Sequence, residues 1–374
     1  MRKLLMAVLL SASFIPSVTH AAMQTSAKQA IVIDMGTGMT LLEKNADEKM
    51  PTSSMSKVMT GYMIFEALKK GRITMDSEFS ISEKAWQKGG SKMFVNVGDK
   101  VKVEDLLKGL IVQSGNDAAI ALAEGLSGDE DAFAAVMTQK AREIGLNNSN
   151  FKNASGWPDA DHYSTARDLA LLAQKLIVDF PHEYSFYSLK EFTYNGITQP
   201  NRNPLLYRDM GVDGIKTGHT DDGGYGLMAS GEQDGRRIVM VVNGLESARD
   251  RANESARLMS WAMNVFENAT IIENGQILEN SKTLFAKTAS LPLTVDRDIR
   301  VTVPKGEKDN VKVNVEYNAP IEAPVKKGQE IGKVNISVPQ IGDFSVPLVA
   351  AADLEKAGFV GRTFEKMKMM ISGE

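Results

Sequence analysis

The amino-acid sequence predicts an α+β protein with two folded parts, a larger one that mixes helices and strands and a smaller one built from strands alone. Up to about residue 267, strand and helix patterns alternate irregularly, without the repeated strand–helix–strand units of a doubly wound sheet. After Asn268 the chain changes to short alternating stretches separated by Pro and Gly. The length of 374 residues leaves room for two or three domains.

The larger part, residues 22–267, begins with an apolar run at residues 30–34, and a Gly36-Thr37-Gly38 turn signal follows, so we expect a strand and a hairpin. Apolar side chains between Met55 and Leu68 recur at helical spacing. Further helical patterns cover residues 103–109, 117–126, 130–144, 165–177 and 248–266, and strand patterns cover residues 226–230 and 237–243. These elements predict a layered α+β domain.

The smaller part, residues 268–355, is predicted to be all β. Apolar and polar residues alternate over short stretches at residues 291–295, 299–303, 311–317, 333–338 and 344–349. This pattern predicts a small antiparallel domain that resembles a β-sandwich. No cluster of ionisable residues in it suggests chemistry. We therefore expect it to space the larger part from a membrane or to contact partners.

Both ends of the chain carry targeting signals. Residues 1–21 indicate a secretory signal peptide, because Arg2 and Lys3 precede an apolar run and small residues precede a cleavage site after Ala21. Residues 356–374 predict an amphipathic helix that anchors the protein at a membrane interface, the alternative being a helix docked on its own protein. One face of that helix collects Phe359, Val360, Phe364, Met367, Met370 and Ile371.

The composition excludes several classes of chemistry. The chain has no Cys and only 4 His, which removes thiol chemistry and leaves little material for a metal site, so we expect neither a metal nor another cofactor. The formal net charge of -4 provides no general basic field, so we expect no nucleic-acid partner. Covalent catalysis would then depend on Ser, Thr, Lys or a carboxylate.

A Ser–Lys pair at the predicted start of the first long helix meets that requirement. Ser54 and Lys57 are three residues apart, and residues at this spacing share one face of a helix. The helix N-terminus also directs free N–H groups and a partial positive charge toward an anion that forms beside Ser54. The four residues thus offer a nucleophile, a base and part of an oxyanion hole.

Two further motifs follow in a recognisable order. Ser114-Gly115-Asn116 lies between two predicted helices, and Lys216-Thr217-Gly218 precedes the strand predicted at residue 226. Together with Ser54-Met55-Ser56-Lys57 they resemble the S-x-x-K, S-x-N and K-T-G motifs of penicillin-binding proteins and serine β-lactamases.

The resemblance covers essentially the whole chain. The segments at residues 153–158, 162–168, 199–203 and 212–220 are similar to those of low-molecular-mass D-alanyl-D-alanine carboxypeptidases of peptidase family S11, the class typified by penicillin-binding proteins 5 and 6. This implies a β-lactamase/transpeptidase-like catalytic domain, with an antiparallel sheet flanked by helices, followed by a small all-β domain. It also implies a serine enzyme that removes the terminal D-alanine from peptidoglycan stem pentapeptides and that β-lactams inhibit covalently.

The same resemblance implies catalytic roles for individual residues. Ser54 corresponds to the acylated nucleophile and Lys57 to its base. Lys216 would supply a second cation that lowers the pKa of Lys57. Ser114 would relay the proton to the leaving D-alanine.

Other residues are implied in substrate binding. Asn116 would hold the substrate backbone, and Thr217 and Arg202 would bind the terminal carboxylate beside Gly218. The backbone N–H groups of Ser54 and His219 would form the oxyanion hole. We expect His162, a loop histidine, to cap local structure rather than to act as a base.

Other functions stay open from the sequence. A D,D-endopeptidase that acts on peptidoglycan cross-links needs the same chemistry with a different pocket, and a peptidoglycan-binding scaffold needs little activity. A β-lactamase is disfavoured because no E-x-x-L-N run lies between the second and third motifs, and a zinc peptidase is excluded because no H-E-x-x-H occurs. We expect the protein in a bacterial periplasm, attached peripherally to the outer face of the inner membrane.

Overall fold

The computed structural model describes residues 23–372, so the predicted signal peptide at residues 1–21 lies outside the described residues. The strands of the larger part are β1 (Gln29–Asp34), β2 (Thr40–Lys44), β3 (Glu78–Ser80), β4 (Lys100–Lys102), β5 (Glu191–Tyr194), β6 (Ile197–Pro200), β7 (Val212–Thr220), β8 (Gly224–Gln233) and β9 (Arg236–Leu245). Its helices are α1 (Lys57–Lys69), α2 (Glu83–Gln87), α3 (Val103–Ile111), α4 (Asn116–Ser127), α5 (Glu130–Glu143), α6 (Ala166–Asp179) and α7 (Ala248–Asn264).

The larger part is built on an antiparallel sheet in the order β2-β1-β9-β8-β7, with β7 at one edge. Side chains alternate between the two faces of a strand, and both faces of β9 are buried. Val239 and Val241 join the core that contains α1 and α6, whereas Met240 and Val242 pack with α7. This layering confirms the expected antiparallel sheet flanked by helices.

Helix α1 lies at the centre of the larger core. Its residues from Lys57 to Phe65 are all buried, so the helix has no solvent face along its first turns. It contacts α3, α4, α5 and α6. A 3-10 turn at Ser53–Ser56 precedes it, so the regular helix begins two residues later than the apolar spacing from Met55 predicts.

Strand β7 and the β5–β6 hairpin were not predicted as strands. The edge strand β7 contains the K-T-G motif, whose Thr and Gly lack the alternating apolar pattern of a strand. The β5–β6 hairpin pairs Tyr194 with Ile197 around a turn that contains Asn195 and Gly196, both with positive φ. Helix α7 ends at Asn264, before residue 266, because Phe266 begins the next strand.

The smaller part has the predicted all-β character. Its strands are β10 (Phe266–Ile272), β11 (Glu279–Leu284), β12 (Ser290–Thr294), β13 (Ile299–Pro304), β14 (Lys312–Tyr317), β15 (Ile321–Glu322), β16 (Glu330–Val338) and β17 (Gly342–Ala350). One sheet has the order β14-β16-β17-β12-β11-β15, and β10 pairs separately with β13. A core of aliphatic side chains that includes Leu293, Val301 and Val334 lies between these strands.

A buried carboxylate joins the two parts. Asp34, fully buried at the end of β1, pairs with the guanidinium of Arg236 and accepts a hydrogen bond of 3.1 Å from the side-chain amide of Asn268 in β10. Nearby, the hydroxyls of Thr37 and Thr302 are 2.6 Å apart. These hydrogen bonds link polar groups of the two parts across the junction.

The last described element is helix α8 (Phe359–Ser372). Phe359 is 79% exposed, Val360 81% and Met370 79%, so these apolar side chains do not pack against the protein. Within residues 23–372, no helix combines the length and the apolar character needed to cross a bilayer.

Candidate active site

The nucleophile candidate Ser54 lies in the 3-10 turn that leads into α1, and two close packing contacts hold that turn. Gly218 of β7 packs so tightly that a Cβ there would approach the carbonyl oxygen of Thr52 to 2.9 Å. On the other side, Gly156 has φ of +76°, and a Cβ there would lie 1.8 Å from the carbonyl oxygen of Ser53. Only glycine fits both positions, so Ser54 is held between β7 and the loop that contains Gly156.

Lys57 reaches Ser54 and two other acceptors. Its Nζ lies 3.0 Å from Ser54 Oγ, 2.7 Å from Asn116 Oδ1 and 2.6 Å from the carbonyl oxygen of Ser155. The side chain is 1% exposed. Burial, followed by repulsion from the Arg202 guanidinium, lowers the pKa of Lys57 to about 7. Near neutral pH a substantial fraction of this amine is therefore unprotonated and able to accept a proton from Ser54.

Ser114 is strained and its hydroxyl has no partner. Its φ is 58°, in the left-handed region that is unfavourable for residues other than glycine. The side chain is 1% exposed, yet Ser114 Oγ makes no hydrogen bond within the described structure. A strained residue with an unpaired buried hydroxyl at the wall of the Ser54 pocket is typical of a functional position.

Asn116, two residues further on, contacts Lys57 and the neighbouring loop. Its Oδ1 accepts from Lys57 Nζ, and its Nδ2 donates to the carbonyl oxygen of Gly89 at 2.9 Å. The adjacent Asp117 accepts hydrogen bonds from the backbone N–H groups of Met93 and Phe94, at 3.0 and 2.9 Å. Asp117 thus fixes the loop that faces Ser54, a role that the sequence analysis missed.

Lys216 lies on β7 in the same cluster of positive charge. It is 3% exposed, and its Nζ is 3.4 Å from the carbonyl oxygen of Thr217. Burial and the charges of Lys57, Arg202 and Arg251 hold the pKa of Lys216 well below its usual value. Arg202 makes the largest charge contribution to the lowered pKa of Lys57. The role that the resemblance implies for the charge of Lys216 stays a prediction.

A cationic pocket opens beside Ser54. It has a volume of about 420 Å³, and Ser54, Ser91, Ser114, Arg202, Thr217, Gly218, His219, Tyr225 and Arg251 line it. The Arg202 guanidinium donates a hydrogen bond to Ser91 Oγ. Arg251, on α7, also lines the pocket. Its buried Nε has no hydrogen-bond partner among the described residues, and its Cζ lies 5.6 Å from the centroid of the Tyr225 ring. With two guanidinium groups, the pocket suits an anionic group such as a carboxylate.

The geometry brings together motifs that the sequence separates by more than a hundred residues. Comparison with known proteins identifies the family of the chain. The sequence pattern of the D-alanyl-D-alanine carboxypeptidase family matches residues 16–247, and that of the penicillin-binding protein 5 C-terminal domain matches residues 266–356. The chain belongs to the D-alanyl-D-alanine carboxypeptidase family. It is a serine carboxypeptidase whose two parts correspond to these two family patterns.

Individual relatives are similar over nearly the whole chain. The D-alanyl-D-alanine carboxypeptidase DacC of Escherichia coli is 37% identical over 365 residues, which cover 96% of this chain and 91% of that protein. The crystal structure of penicillin-binding protein 5 from Haemophilus influenzae matches with a TM-score of 0.78 and 36% identity, over 90% of this chain and 99% of the other. Penicillin-binding protein D2 from Listeria monocytogenes, solved in a cefotaxime-bound form, matches with a TM-score of 0.60 and 30% identity, over 65% and 99%.

Two histidines of this carboxypeptidase lie near Ser54 without binding its hydroxyl. The His219 ring stacks against Tyr225 with centroids 3.9 Å apart. His162 is 5% exposed, and both its nitrogens are engaged: Nδ1 accepts from the backbone N–H of Lys152 at 3.1 Å, and Nε2 lies 2.7 Å from Ser56 Oγ. Because Nδ1 accepts, Nε2 is the protonated nitrogen and donates to Ser56. His162 therefore supports the turn that carries Ser54.

The structure also places near Ser54 five residues that the sequence analysis missed as candidates. They are Ser91, Asp117, Ser155, Tyr225 and Arg251. None belongs to the three motifs, and Ser155 contributes through its carbonyl oxygen, which every residue has. A polar arginine on α7 looks like any exposed helix residue in the sequence, so only the packing of α7 on the sheet could place Arg251 in the pocket. Among the described side chains, no group of three or more His, Asp and Glu could hold a metal ion.

Proposed function

We propose that the enzyme removes the terminal D-alanine of peptidoglycan stem pentapeptides through a covalent acyl-enzyme on Ser54. The observation that carries this proposal is the distance of 3.0 Å between Lys57 Nζ and Ser54 Oγ, together with the lowered pKa of Lys57. A serine hydroxyl is a weak nucleophile, and an adjacent unprotonated amine is one of the few groups that activate it without a histidine.

Acylation begins when Ser54 Oγ attacks the carbonyl carbon of the penultimate D-alanine. Lys57 takes the hydroxyl proton, and the backbone N–H groups of Ser54 and His219 stabilise the oxyanion. The carbon–nitrogen bond then breaks. The leaving amine receives a proton from Lys57 through Ser114, whose Oγ has no hydrogen-bond partner among the described residues. Water next attacks the ester with Lys57 as base, the stem peptide leaves with a new carboxylate, and Ser54 regains its proton.

The cationic pocket would orient the substrate by its terminal carboxylate. Arg202 and Arg251 provide forked donors, and the Thr217 hydroxyl provides a neutral one. A bound carboxylate would counter the charges that hold the pKa of Lys216 low, and so favour its protonated form. Asn116 would position Lys57 by its oxygen and retain one amide hydrogen for the substrate backbone.

β-Lactams would acylate the same serine. Their lactam carbonyl would be attacked by Ser54 Oγ, and their carboxylate would occupy the cationic pocket. Support comes from the related penicillin-binding protein D2, whose solved structures carry cefotaxime or ampicillin.

We place the mature enzyme in a bacterial periplasm, with residues 22–267 as its catalytic domain and residues 268–355 as its β-domain. Residues 356–374 would attach it peripherally to the outer face of the inner membrane. The exposed apolar side chains of Phe359, Val360 and Met370 on α8 support this attachment, because an interfacial helix buries such a face among lipid acyl chains.

The mechanism is tested with the purified mature chain, a D-Ala-D-Ala peptide and a labelled penicillin. Wild type is expected to release D-alanine and to become labelled, whereas Ser54→Ala is expected to do neither. Ser188→Ala, an exposed serine remote from the pocket, is the matched control and is expected to behave as wild type. Release of D-alanine by Ser54→Ala would overturn the mechanism, and labelling of wild type without release would overturn the carboxypeptidase activity.

A further inference from the structure

A second cationic cavity lies where the β-domain meets α8. Its volume is about 290 Å³, and the side chains that line it include Phe285, Glu322, Lys356, Arg362 and Lys366. Three of these five side chains are cationic and one is anionic. The cavity is remote in sequence from Ser54 and shares no residue with the pocket beside it.

The β-domain backbone fixes one wall of this cavity. The segment before α8 is hydrogen-bonded into the domain, since Ala286 pairs with Lys356 and the N–H of Ala357 donates to the carbonyl oxygen of Phe285 at 2.8 Å. Lys356 therefore has a defined position. Arg362 and Lys366, one helical turn apart on α8, form the opposite wall.

The three cations have no carboxylate partner among the described side chains. Neighbouring cations differ, because Lys287 pairs with Glu355 and Lys326 lies 3.4 Å from Asp353. No carboxylate oxygen of a described side chain comes within ion-pair distance of Lys356, Arg362 or Lys366. This includes Glu322, which lines the same cavity. The Lys366 amine instead lies 5.9 Å from the centroid of the Phe285 ring. Three cations around one cavity attract an anion with several oxygens.

Exposed apolar residues of the same helix indicate where that anion comes from. Phe359, which also lines the cavity, is 79% exposed, and Met367 and Met370 are 56% and 79% exposed. In a membrane interface, apolar side chains of this kind enter the acyl boundary while cations meet the phosphate groups just above it. Cationic side chains around the cavity and exposed apolar side chains of α8 thus lie close together, as a lipid with an anionic headgroup and apolar acyl chains requires.

We propose that Lys356, Arg362 and Lys366 form a binding site for the phosphate headgroup of an anionic phospholipid. This inference rests on the membrane attachment given under the proposed function and adds its lipid selectivity. The site would set the orientation of the β-domain on the membrane, because Lys356 is part of that domain and not of the anchor helix alone.

The test compares binding of the full mature chain to vesicles of phosphatidylcholine alone and of phosphatidylcholine with phosphatidylglycerol. Wild type is expected to prefer the anionic vesicles. The variant Lys356→Gln/Arg362→Gln/Lys366→Gln is expected to bind them at least about tenfold more weakly and to lose that preference. The matched control is Lys305→Gln/Lys308→Gln/Lys312→Gln, which removes the same charge from exposed positions and includes β14, at the opposite edge of the sheet from β15. It is expected to bind as wild type does.

The outcomes separate this site from the attachment itself. Equal loss in both triple variants would mean a diffuse charge effect and would overturn the site. Equal binding of wild type to both kinds of vesicle would also overturn it while leaving attachment intact, whereas no binding to either vesicle would overturn attachment as well. Saturable binding of glycerol phosphate without a preference for anionic vesicles would identify a soluble phosphate as ligand and overturn the lipid assignment. Carboxypeptidase activity, expected to be unchanged in all variants, checks that each is folded.

Discussion

The two parts of this carboxypeptidase differ in what they bury. The larger part buries ionisable side chains, among them Lys57, Asp117, His162 and Lys216. In the described smaller part, from Phe266 onward, the buried polar side chains are the hydroxyl-bearing Ser281, Thr294 and Thr302. Removing an amine from water costs free energy and shifts its pKa toward the neutral form. The larger part accepts that cost beside Ser54, where the proposed mechanism uses a neutral lysine. The β-domain, for which no such chemistry is proposed, keeps its charges at the surface.

The largest effect is expected from removing a buried amine. Lys57→Met should lower kcat/KM roughly 10³-fold, since a positioned base contributes on this order. Acylation by a labelled penicillin should slow by a similar factor, because the same proton is transferred. Lys312→Met in β14 removes an exposed amine and should change neither rate. A loss below tenfold for Lys57→Met would mean that another group activates Ser54.

The second effect is on stability in acid, and it depends on His162. Burial, with a smaller contribution from the charge of Lys57, lowers the pKa of His162 to about 4 from an ordinary value of 6.5. Between these values the unfolded chain binds a proton that the folded protein excludes. The free energy of unfolding should therefore fall as pH drops from about 6.5 to about 4, by up to about 3 kcal/mol from this group.

This contribution is isolated by comparing variants in denaturant titrations across that pH range. His162→Gln should flatten the slope of unfolding free energy against pH relative to wild type. The exposed His182→Gln is the control and should leave the slope unchanged. Parallel slopes for wild type and His162→Gln would show that His162 takes up its proton at the same pH in the folded and in the unfolded protein.

The third effect separates strain from function at Ser114. Ser114 and Gln340 both have positive φ, of 58° and 66°, but only Ser114 lines the active-site pocket. Replacing either by glycine should raise the free energy of unfolding by about 0.5 to 1 kcal/mol, since left-handed backbone is unfavourable for other residues. Ser114→Gly should also lower kcat/KM roughly 10²-fold because the proton relay is lost, and Gln340→Gly should not. Unchanged activity in Ser114→Gly would exclude the relay.

The sequence was sufficient where local signals decide the structure. Helices α3 to α7 were predicted within a few residues, because apolar spacing determines which face is buried. The contact between Ser54 and Lys57 was predicted correctly, because side chains three residues apart on a helix lie on the same face. The conformation of Ser114 and the position of Arg251 could not be predicted. Both depend on how distant elements pack, and a positive φ at serine goes against its local preference.

The smallest expected effect concerns the position of the pH profile. Because the proposed mechanism uses Lys57 in its unprotonated form, kcat/KM should rise with pH through about 7. The Arg202 charge helps to lower that pKa, so Arg202→Gln should move the rise to higher pH, by less than the shift that burial causes. Carboxylate binding should weaken as well, but a uniform loss of affinity leaves the midpoint in place. The midpoint thus reports on the charge alone. Arg208→Gln, an exposed arginine outside the pocket, should leave it unchanged. A midpoint that stays at the wild-type pH in Arg202→Gln would mean that burial alone lowers the pKa of Lys57, and that the cationic pocket serves the substrate and not the base.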